Sequence, residues 1–220
     1  QNKLHFLTLF FFLLFLFCFL TLIHEDILIT AFNALNFLKG HISDFYDAAG
    51  VTATYMPSIF ISFALWQFPL WVTGIINHAI ASAHSYSLFS NLWLELFPIL
   101  FSFGSIYLMY KICALVGLGR KKSKLCAFFF ATSPIYFFSV YIFSQHDVIT
   151  VFLMMLGLYY WLKDRRYLFA LIFGISVTFK YFGLPVFIVA AVLMEKDIRK
   201  LIQLCLVFAA PFALEVLLFS

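Results

Sequence analysis

The stretch Arg120-Lys121-Lys122-Ser123-Lys124 separates two apolar regions, 92–118 and 125–143, and it decides the fold of this chain. Ten of the 14 Lys and Arg residues fall in this cluster and in two similar ones, 163–166 and 195–200. Basic clusters at one end of apolar segments mark the cytoplasmic side of a membrane protein. Most carboxylates and histidines lie elsewhere in the chain, so we expect them, and any catalysis, on the opposite side.

The composition supports a membrane protein. Hydrophobic residues make up 65% of the chain and charged residues 11%, whereas soluble domains are about half apolar. A water-soluble domain of this length could not bury so much apolar surface. The basic clusters explain the net charge of +4, so it does not indicate nucleic-acid binding. We expect an all-α, polytopic transmembrane helical bundle that forms one domain over 1–220.

The apolar regions predict the spans of that bundle. Region 4–23 has the roughly 20 residues that a spanning helix needs, and 201–219 starts another span. Regions 125–143 and 148–162 form a hairpin. Region 167–194 has basic clusters at both ends, so it must go out and come back as two short helices that meet near Lys180. Because the chain begins with Gln1 and ends in an apolar run, we interpret it as the N-terminal part of a longer protein.

Region 57–74 is apolar enough to span, but we predict that it does not. If it crossed, every later basic cluster would lie outside the cytoplasm, against the positive-inside rule. Its prolines, its two tryptophans and Gln67 suit a helix in the outer interface. Residues 24–91 then form a long extracytoplasmic first loop bearing interfacial helices, with 27–38 as another such helix by its apolar spacing.

Lys180 is the most informative single residue. A cation inside an apolar stretch is costly and by default marks a functional site. Its expected partner is an anion, either a carboxylate of the outer loop or a lipid phosphate. The alternative is a side chain that extends to the outer headgroups. Gly183 and Pro185 follow directly and would break the helix, exposing backbone amides to a ligand.

Acidic residues of the outer loop are the other candidates. Asp26 follows the first span in the order His24-Glu25-Asp26, and it is either an ordinary charged helix end or a general base. On a helix, Asp44 and Asp47 would share one face. They could bind a cation or a sugar hydroxyl, or they could form a polar turn or a helix start.

The tip of the predicted hairpin is Gln145-His146-Asp147. A hairpin tip needs some polar residues, but a tight turn favours Gly or Asn. Three consecutive side chains that could hydrogen-bond a sugar or a phosphate are more than a turn requires.

The histidines and cysteines predict no metal site. His41, His78 and His84 lack ligand spacing, and the four cysteines have no CxxC pattern. A divalent cation is the one cofactor left open, with no ligand set assigned to it.

Several short motifs occur together in this order. An acidic residue follows the first span, and the first loop contains Tyr55-Met56-Pro57. Ser133-Pro134 leads through a span to the Gln-x-Asp tip, and Phe179-Lys180-Tyr181 follows later. Over essentially the whole chain, this pattern resembles the GT-C superfamily of integral-membrane glycosyltransferases.

The resemblance implies transfer of a hexosyl group, mannosyl in some members, on the non-cytoplasmic face. The donor would be a polyprenyl-phosphate sugar and the acceptor a glycan or a lipid-linked molecule in or at the lipid bilayer. A multi-pass protein of this kind lies in the plasma membrane if bacterial and in the endoplasmic reticulum if eukaryotic. Asp26 matches the position of the catalytic carboxylate, and Lys180 is the candidate cation for the lipid phosphate. The other candidate substrate-binding residues are Glu25, Asp44, Asp47, Gln145, His146 and Asp147.

Two other classes of function stay open at this point. A transporter or lipid flippase would place its site at broken helices in repeated halves, but only the segment around Lys180 is broken in this way. A structural membrane subunit would bind a partner through its aromatic surface and would leave Lys180 unexplained.

Overall fold

The computed structural model describes residues 2–22, 24–77, 80 and 82–219, with only the backbone of 2–4 and 51; His78 lies outside them. This part of the chain is all-helical and contains no strand, which confirms the predicted fold class. The α-helices are α1 (Asn2–Thr21), α2 (Glu25–Leu38), α3 (Phe45–Ala49), α4 (Pro57–Val72), α5 (Leu88–Leu115), α6 (Arg120–Ala131), α7 (Pro134–Phe137), α8 (Asp147–Leu162), α9 (Arg166–Phe179), α10 (Gly183–Met194) and α11 (Ile198–Phe219). Short 3₁₀ turns lie at Gly50–Thr52 and Ala83–Ser85, and a π-helical turn at Phe138–Ile142 continues α7.

Two described helices, α5 and α11, are each long and apolar enough to cross a membrane. The count rises to four if two bent pairs each form one span. The first pair is α1 with α2, and the second is α6 with α7 and its π-helical turn. The second pair bends by 51°, at Ser133-Pro134, where the Ser133 hydroxyl caps the new helix. The predicted continuous helix over 125–143 is therefore interrupted, because Pro134 cannot continue the hydrogen-bond ladder of α6.

Close packing holds α9 between α8 and α11. A Cβ added to Gly157 would lie 2.5 Å from the Phe173 ring, and one added to Gly174 would lie 2.2 Å from the Phe208 carbonyl oxygen. Small residues of this kind allow helices in membranes to approach closely. The α8–α9 hairpin therefore places residues 146–147 and 180 together at one end and the cluster 163–166 at the other.

The predicted break at Lys180 is present. α9 ends at Phe179, Lys180 has an extended backbone with φ −155° and ψ 135°, and α10 begins at Gly183. A Cβ on Gly183 would lie 2.5 Å from Ser176 Oγ, so glycine permits the start of α10 to pack against α9. The interruption carries the Lys180 side chain out of the helical ladder at the end of the hairpin.

The described residues of region 24–87 form a helical layer packed on α5. Its two predicted helices are present as α2 and α4; their position at the membrane interface stays a prediction. Gln67 of α4 is completely buried: its amide nitrogen donates to the Ala31 carbonyl at 2.9 Å, and its amide oxygen accepts from the Tyr86 hydroxyl at 2.9 Å. The indoles of Trp66 and Trp93 stack and donate to each other's carbonyl oxygens. These contacts fix the layer that supports Asp26 and Tyr55.

Candidate functional site

Three distant parts of the chain meet at one end of the α8–α9 hairpin. The Gln145 amide nitrogen donates to Asp26 Oδ2 at 3.2 Å, although 119 positions separate the two residues. Lys180 Nζ lies 3.1 Å from Asp147 Oδ1. We call Asp26, Gln145, His146, Asp147 and Lys180 the outer cluster. All five are predicted site residues, and the fold brings them together.

The start of α2 holds Asp26 in place. His24 is the N-cap residue, and its Nδ1 accepts from the Asp26 backbone N–H at 3.3 Å. The carboxylate of Glu95 in α5 accepts in turn from the His24 backbone N–H. Glu25 and Asp26 both lie in the first turn, where the helix dipole favours negative charge. Glu25 is exposed, whereas Asp26 is half-buried and faces Gln145.

An irregular backbone sets the tip of the α7–α8 connection. The π-helical turn at Phe138–Ile142 precedes it, and Ser144 adopts a left-handed conformation with φ 49°. The Gln145 backbone N–H then donates to the Ser139 carbonyl at 2.8 Å. Isolated π-turns and left-handed residues other than glycine occur preferentially at functional sites. Here they turn Gln145 towards Asp26.

His146 is completely buried beside the outer cluster. Its ring packs edge-on against Tyr55, with 4.7 Å between centroids, and neither ring nitrogen makes a hydrogen bond within the described residues. The pKa of His146 is lowered to about 4, chiefly by burial; Lys180 contributes to the lowering, and Asp147 and Asp26 oppose it. The imidazole is therefore neutral near pH 7, and in this arrangement it supports the ring of Tyr55.

Tyr55 links the two sides of the cluster. Lys180 Nζ lies 4.4 Å from the centroid of the Tyr55 ring, within the range of a cation–π interaction. Burial raises the pKa of the Tyr55 phenol, and the carboxylates of Asp26 and Asp147 raise it further. Tyr55 is a site residue that the sequence analysis quoted as part of a motif but did not assign.

Two cavities meet at the outer cluster. The larger, of about 700 Å³, is the apolar cavity; polar side chains of Gln145 and Asp147 lie among its aromatic and aliphatic walls. The smaller, of about 460 Å³, is the tyrosine cavity, which Tyr55 and Lys180 line. Asp147 lines the apolar cavity and Lys180 lines the tyrosine cavity. Because these two residues form an ion pair, the outer cluster lies at the junction of the two cavities. The walls of the apolar cavity include Phe130, Ile135, Tyr136, Val140, Phe143, Val148, Val151 and Phe182.

Asp44 and Asp47 lie apart from this cluster. Asp44 is exposed at the start of α3 and pairs with His41 Nδ1 at 2.9 Å, and Asp47 is exposed in the first turn of α3. This is the helix start that the sequence analysis left open, and no described contact joins either residue to Asp26. Within the described residues, no group of three or more His, Cys, Asp or Glu side chains could hold a metal ion.

Two buried carboxylates escaped the sequence analysis. Glu95 lies in α5, and Glu215 lies in α11 with its Oε1 accepting from the Ser58 backbone N–H at 2.6 Å. Each falls inside a predicted span, where an ionisable residue by default marks a functional site. The same rule that singled out Lys180 would also have identified Glu95 and Glu215.

The fold and the site define a helical membrane bundle that has a carboxylate, an amide and a cation beside an apolar cavity. The chain belongs to glycosyltransferase family 87, whose family model matches residues 86–220, more than half of the chain. This is a family of GT-C-type membrane glycosyltransferases, so the predicted resemblance is confirmed. No curated protein and no solved structure matches the chain.

The extent of the match bears on the site. Residues 86–220 include Gln145, His146, Asp147 and Lys180, whereas Asp26 precedes the matched region. The family makes the chain a membrane glycosyltransferase. Of the three classes of function that the sequence left open, the family supports the transferase.

Proposed function

We propose that the protein is a multi-pass, inverting glycosyltransferase that moves a hexosyl group, of which mannosyl is one candidate, from a polyprenyl phosphate to an acceptor hydroxyl on the non-cytoplasmic face. The observation that carries the proposal is the junction of the two cavities. There Asp26, Gln145, Asp147 and Lys180 meet at the end of the hairpin that is remote from the basic cluster 163–166.

The polarity of the hairpin supports the proposed side of the membrane. α8 runs from Asp147 to Leu162, so its 16 residues separate the outer cluster from the basic end by about 24 Å at 1.5 Å per residue. The basic end faces the cytoplasm by the positive-inside rule. Since a hydrocarbon core is about 30 Å thick, the outer cluster would lie just beneath the opposite surface, within reach of a lipid phosphate.

The apolar cavity suits the donor. Its aromatic and aliphatic walls match a polyprenyl chain, and Gln145 and Asp147 mark the end where a polar headgroup would lie. Lys180 is held at that end by its ion pair with Asp147. A nucleotide sugar is disfavoured, because the sequence has no glycine-rich phosphate loop.

The chemistry of the step assigns a role to each residue. Asp26 removes the proton from the acceptor hydroxyl, the acceptor oxygen bonds to the anomeric carbon, and the bond to the phosphate oxygen breaks. The leaving group is a polyprenyl phosphate whose developing negative charge Lys180 stabilises. Gln145 orients the Asp26 carboxylate, and Asp147 holds the Lys180 side chain in place before the donor arrives.

The donor class can be tested with the full chain in lipid nanodiscs. We would offer polyprenyl-phosphate hexoses, including the mannosyl compound, and the corresponding nucleotide sugars, and follow donor loss and product anomeric configuration by NMR. We expect only the polyprenyl-phosphate sugars to be consumed, with inversion at the anomeric carbon. Consumption of the nucleotide sugars alone, or retention of configuration, would contradict the proposal.

A further inference from the structure

The tyrosine cavity shares no lining residue with the apolar cavity that suits the lipid donor. Four aromatic side chains line it, together with Lys180. Its volume of about 460 Å³ falls in the range of small-molecule sites. The aromatic residues are Tyr46, Tyr55, Phe179 and Tyr181.

A smaller cavity adjoins it and contains a buried carboxylate. This Glu215 pocket has a volume of about 190 Å³ and shares Tyr46 and Met56 with the tyrosine cavity. Only 6% of Glu215 is exposed, and its Oε1 accepts from the Ser58 backbone N–H. Its Oε2 is buried and makes no hydrogen bond within the described residues. Since such an oxygen is costly to leave without a donor, it is the natural partner of a ligand hydroxyl.

The tyrosines and Glu215 form one continuous wall. The Tyr46 hydroxyl donates to the Tyr55 carbonyl at 2.8 Å, and the Tyr181 hydroxyl lies 3.2 Å from Met56 Sδ. Burial, with smaller contributions from the nearby Glu215 and Tyr181, raises the pKa of Tyr46 to about 12. Phenol hydroxyls, flat ring faces and a free carboxylate oxygen therefore line one space.

We propose that the tyrosine cavity and the Glu215 pocket together bind the acceptor, and that this acceptor is a carbohydrate whose hydroxyl donates to Glu215 Oε2. A sugar ring presents an apolar C–H face to aromatic rings and hydroxyl donors to a carboxylate. A plain lipid acceptor would use neither the tyrosine hydroxyls nor Glu215. This inference rests on the proposed glycosyl transfer and specifies the class of its second substrate.

The position of Asp26 agrees with this assignment. Its carboxylate acts electrostatically on Tyr55, which lines the tyrosine cavity, and it accepts from Gln145, which lines the apolar cavity. An acceptor hydroxyl that enters beside Tyr55 would meet the base at the junction, opposite the sugar on the donor phosphate.

Glu215→Gln is the sharpest test. The glutamine carbonyl still accepts from Ser58, so the start of α4 keeps its support, while an NH₂ group replaces the free acceptor oxygen. The probe is the octyl glycoside that wild type uses best among the mannoside, glucoside and galactoside, with a polyprenyl-phosphate hexose as donor. We expect the KM for the glycoside to rise about tenfold, equivalent to about 1.4 kcal/mol, while the KM for the donor stays unchanged.

Tyr181→Ala provides an independent variant, and Tyr167→Ala is its matched control, because exposed Tyr167 lies next to the basic cluster and contacts Gln203. We expect only Tyr181→Ala to raise the glycoside KM. If Glu215→Gln does not fold, this pair decides the question. The carbohydrate site would be overturned if the wild-type protein hydrolyses the donor but neither uses an octyl glycoside nor is inhibited by one. It would also be overturned if the glycoside KM is unchanged in the folded variants. Failure of wild type to consume any polyprenyl-phosphate sugar would instead overturn the proposed function.

Discussion

Ion pairs lie at both ends of the α8–α9 hairpin. At the basic end, Arg166 pairs with both Asp164 and Glu195, and we call these three residues the inner cluster. Glu195 Oε1 also accepts from the backbone N–H groups of Lys196 and Asp197, at 3.0 Å each. Both carboxylate oxygens of Glu195 therefore have donors, and the connection between α10 and α11 is tied to the start of α9.

The outer cluster is less complete. Asp147 Oδ1 is close enough to Lys180 Nζ for an ion pair, but it makes no well-directed hydrogen bond. Neither nitrogen of His146 has a hydrogen-bond partner within the described residues. Buried polar groups are normally hydrogen-bonded. A saturated network stabilises a loop, whereas an unsaturated one beside two cavities leaves groups for a ligand. We therefore expect the inner cluster to stabilise the fold and the outer cluster to serve the proposed transfer.

Replacing the cation of each cluster with methionine tests the comparison between the two clusters most severely. In the proposed mechanism, Lys180→Met removes the charge that stabilises the leaving phosphate, so we expect kcat to fall by about 10²–10³ with little change in Tm. Arg166→Met leaves Glu195 without its cation, so we expect a lower Tm and an unchanged kcat. Steady-state kinetics and thermal unfolding of both variants in nanodiscs check this. Equal losses of kcat would remove the distinction between the clusters.

A smaller effect is expected from the buried imidazole of the outer cluster. The pKa of His146 is about 4 in the fold, against a usual value of 6.5, so only the unfolded chain gains a proton between those values. Stability should therefore fall as pH drops from about 6.5 to 4, by about 2 kcal/mol at pH 5.

Thermal unfolding between pH 7 and pH 5 measures this loss. We expect the fall in Tm to be smaller in His146→Gln, and to equal that of wild type in His84→Gln, because His84 is exposed. The charged groups that act on the His146 pKa are Asp147, Lys180 and Asp26, and Tyr55 packs against the ring; each variant keeps all four residues. A fall in Tm that is the same in all three proteins would show that His146 does not carry the effect.

Much of the fold could be predicted, because apolar length and charge placement are local properties of a sequence. The predicted limits of α8 and α11 differ from the observed limits by only a few residues, and the break at Lys180 follows from basic clusters on both sides of an apolar stretch. The bend before α7 was not predicted, although Ser133-Pro134 carries a recognisable signal for a helix start.

The contacts of the site could be predicted only in part. Residue type and position pointed to Asp26, Gln145 and Lys180, but the bond between Asp26 and Gln145 depends on how α2 packs against the α7–α8 connection. No local pattern specifies that packing. Glu95 and Glu215 are the opposite case. Their position within apolar regions is a local signal that was visible in the sequence, but neither residue was predicted as a site residue.

The central claim is that a carboxylate of the outer cluster performs the transfer, and a matched pair of Asp→Asn variants tests it most directly. Turnover of a polyprenyl-phosphate hexose would be measured in nanodiscs for Asp26→Asn and for Asp164→Asn, which lies in the inner cluster. We expect Asp26→Asn to lower kcat by about 10²–10⁴, the usual contribution of a general base, with Asp164→Asn close to wild type. Full turnover in folded Asp26→Asn would contradict the account.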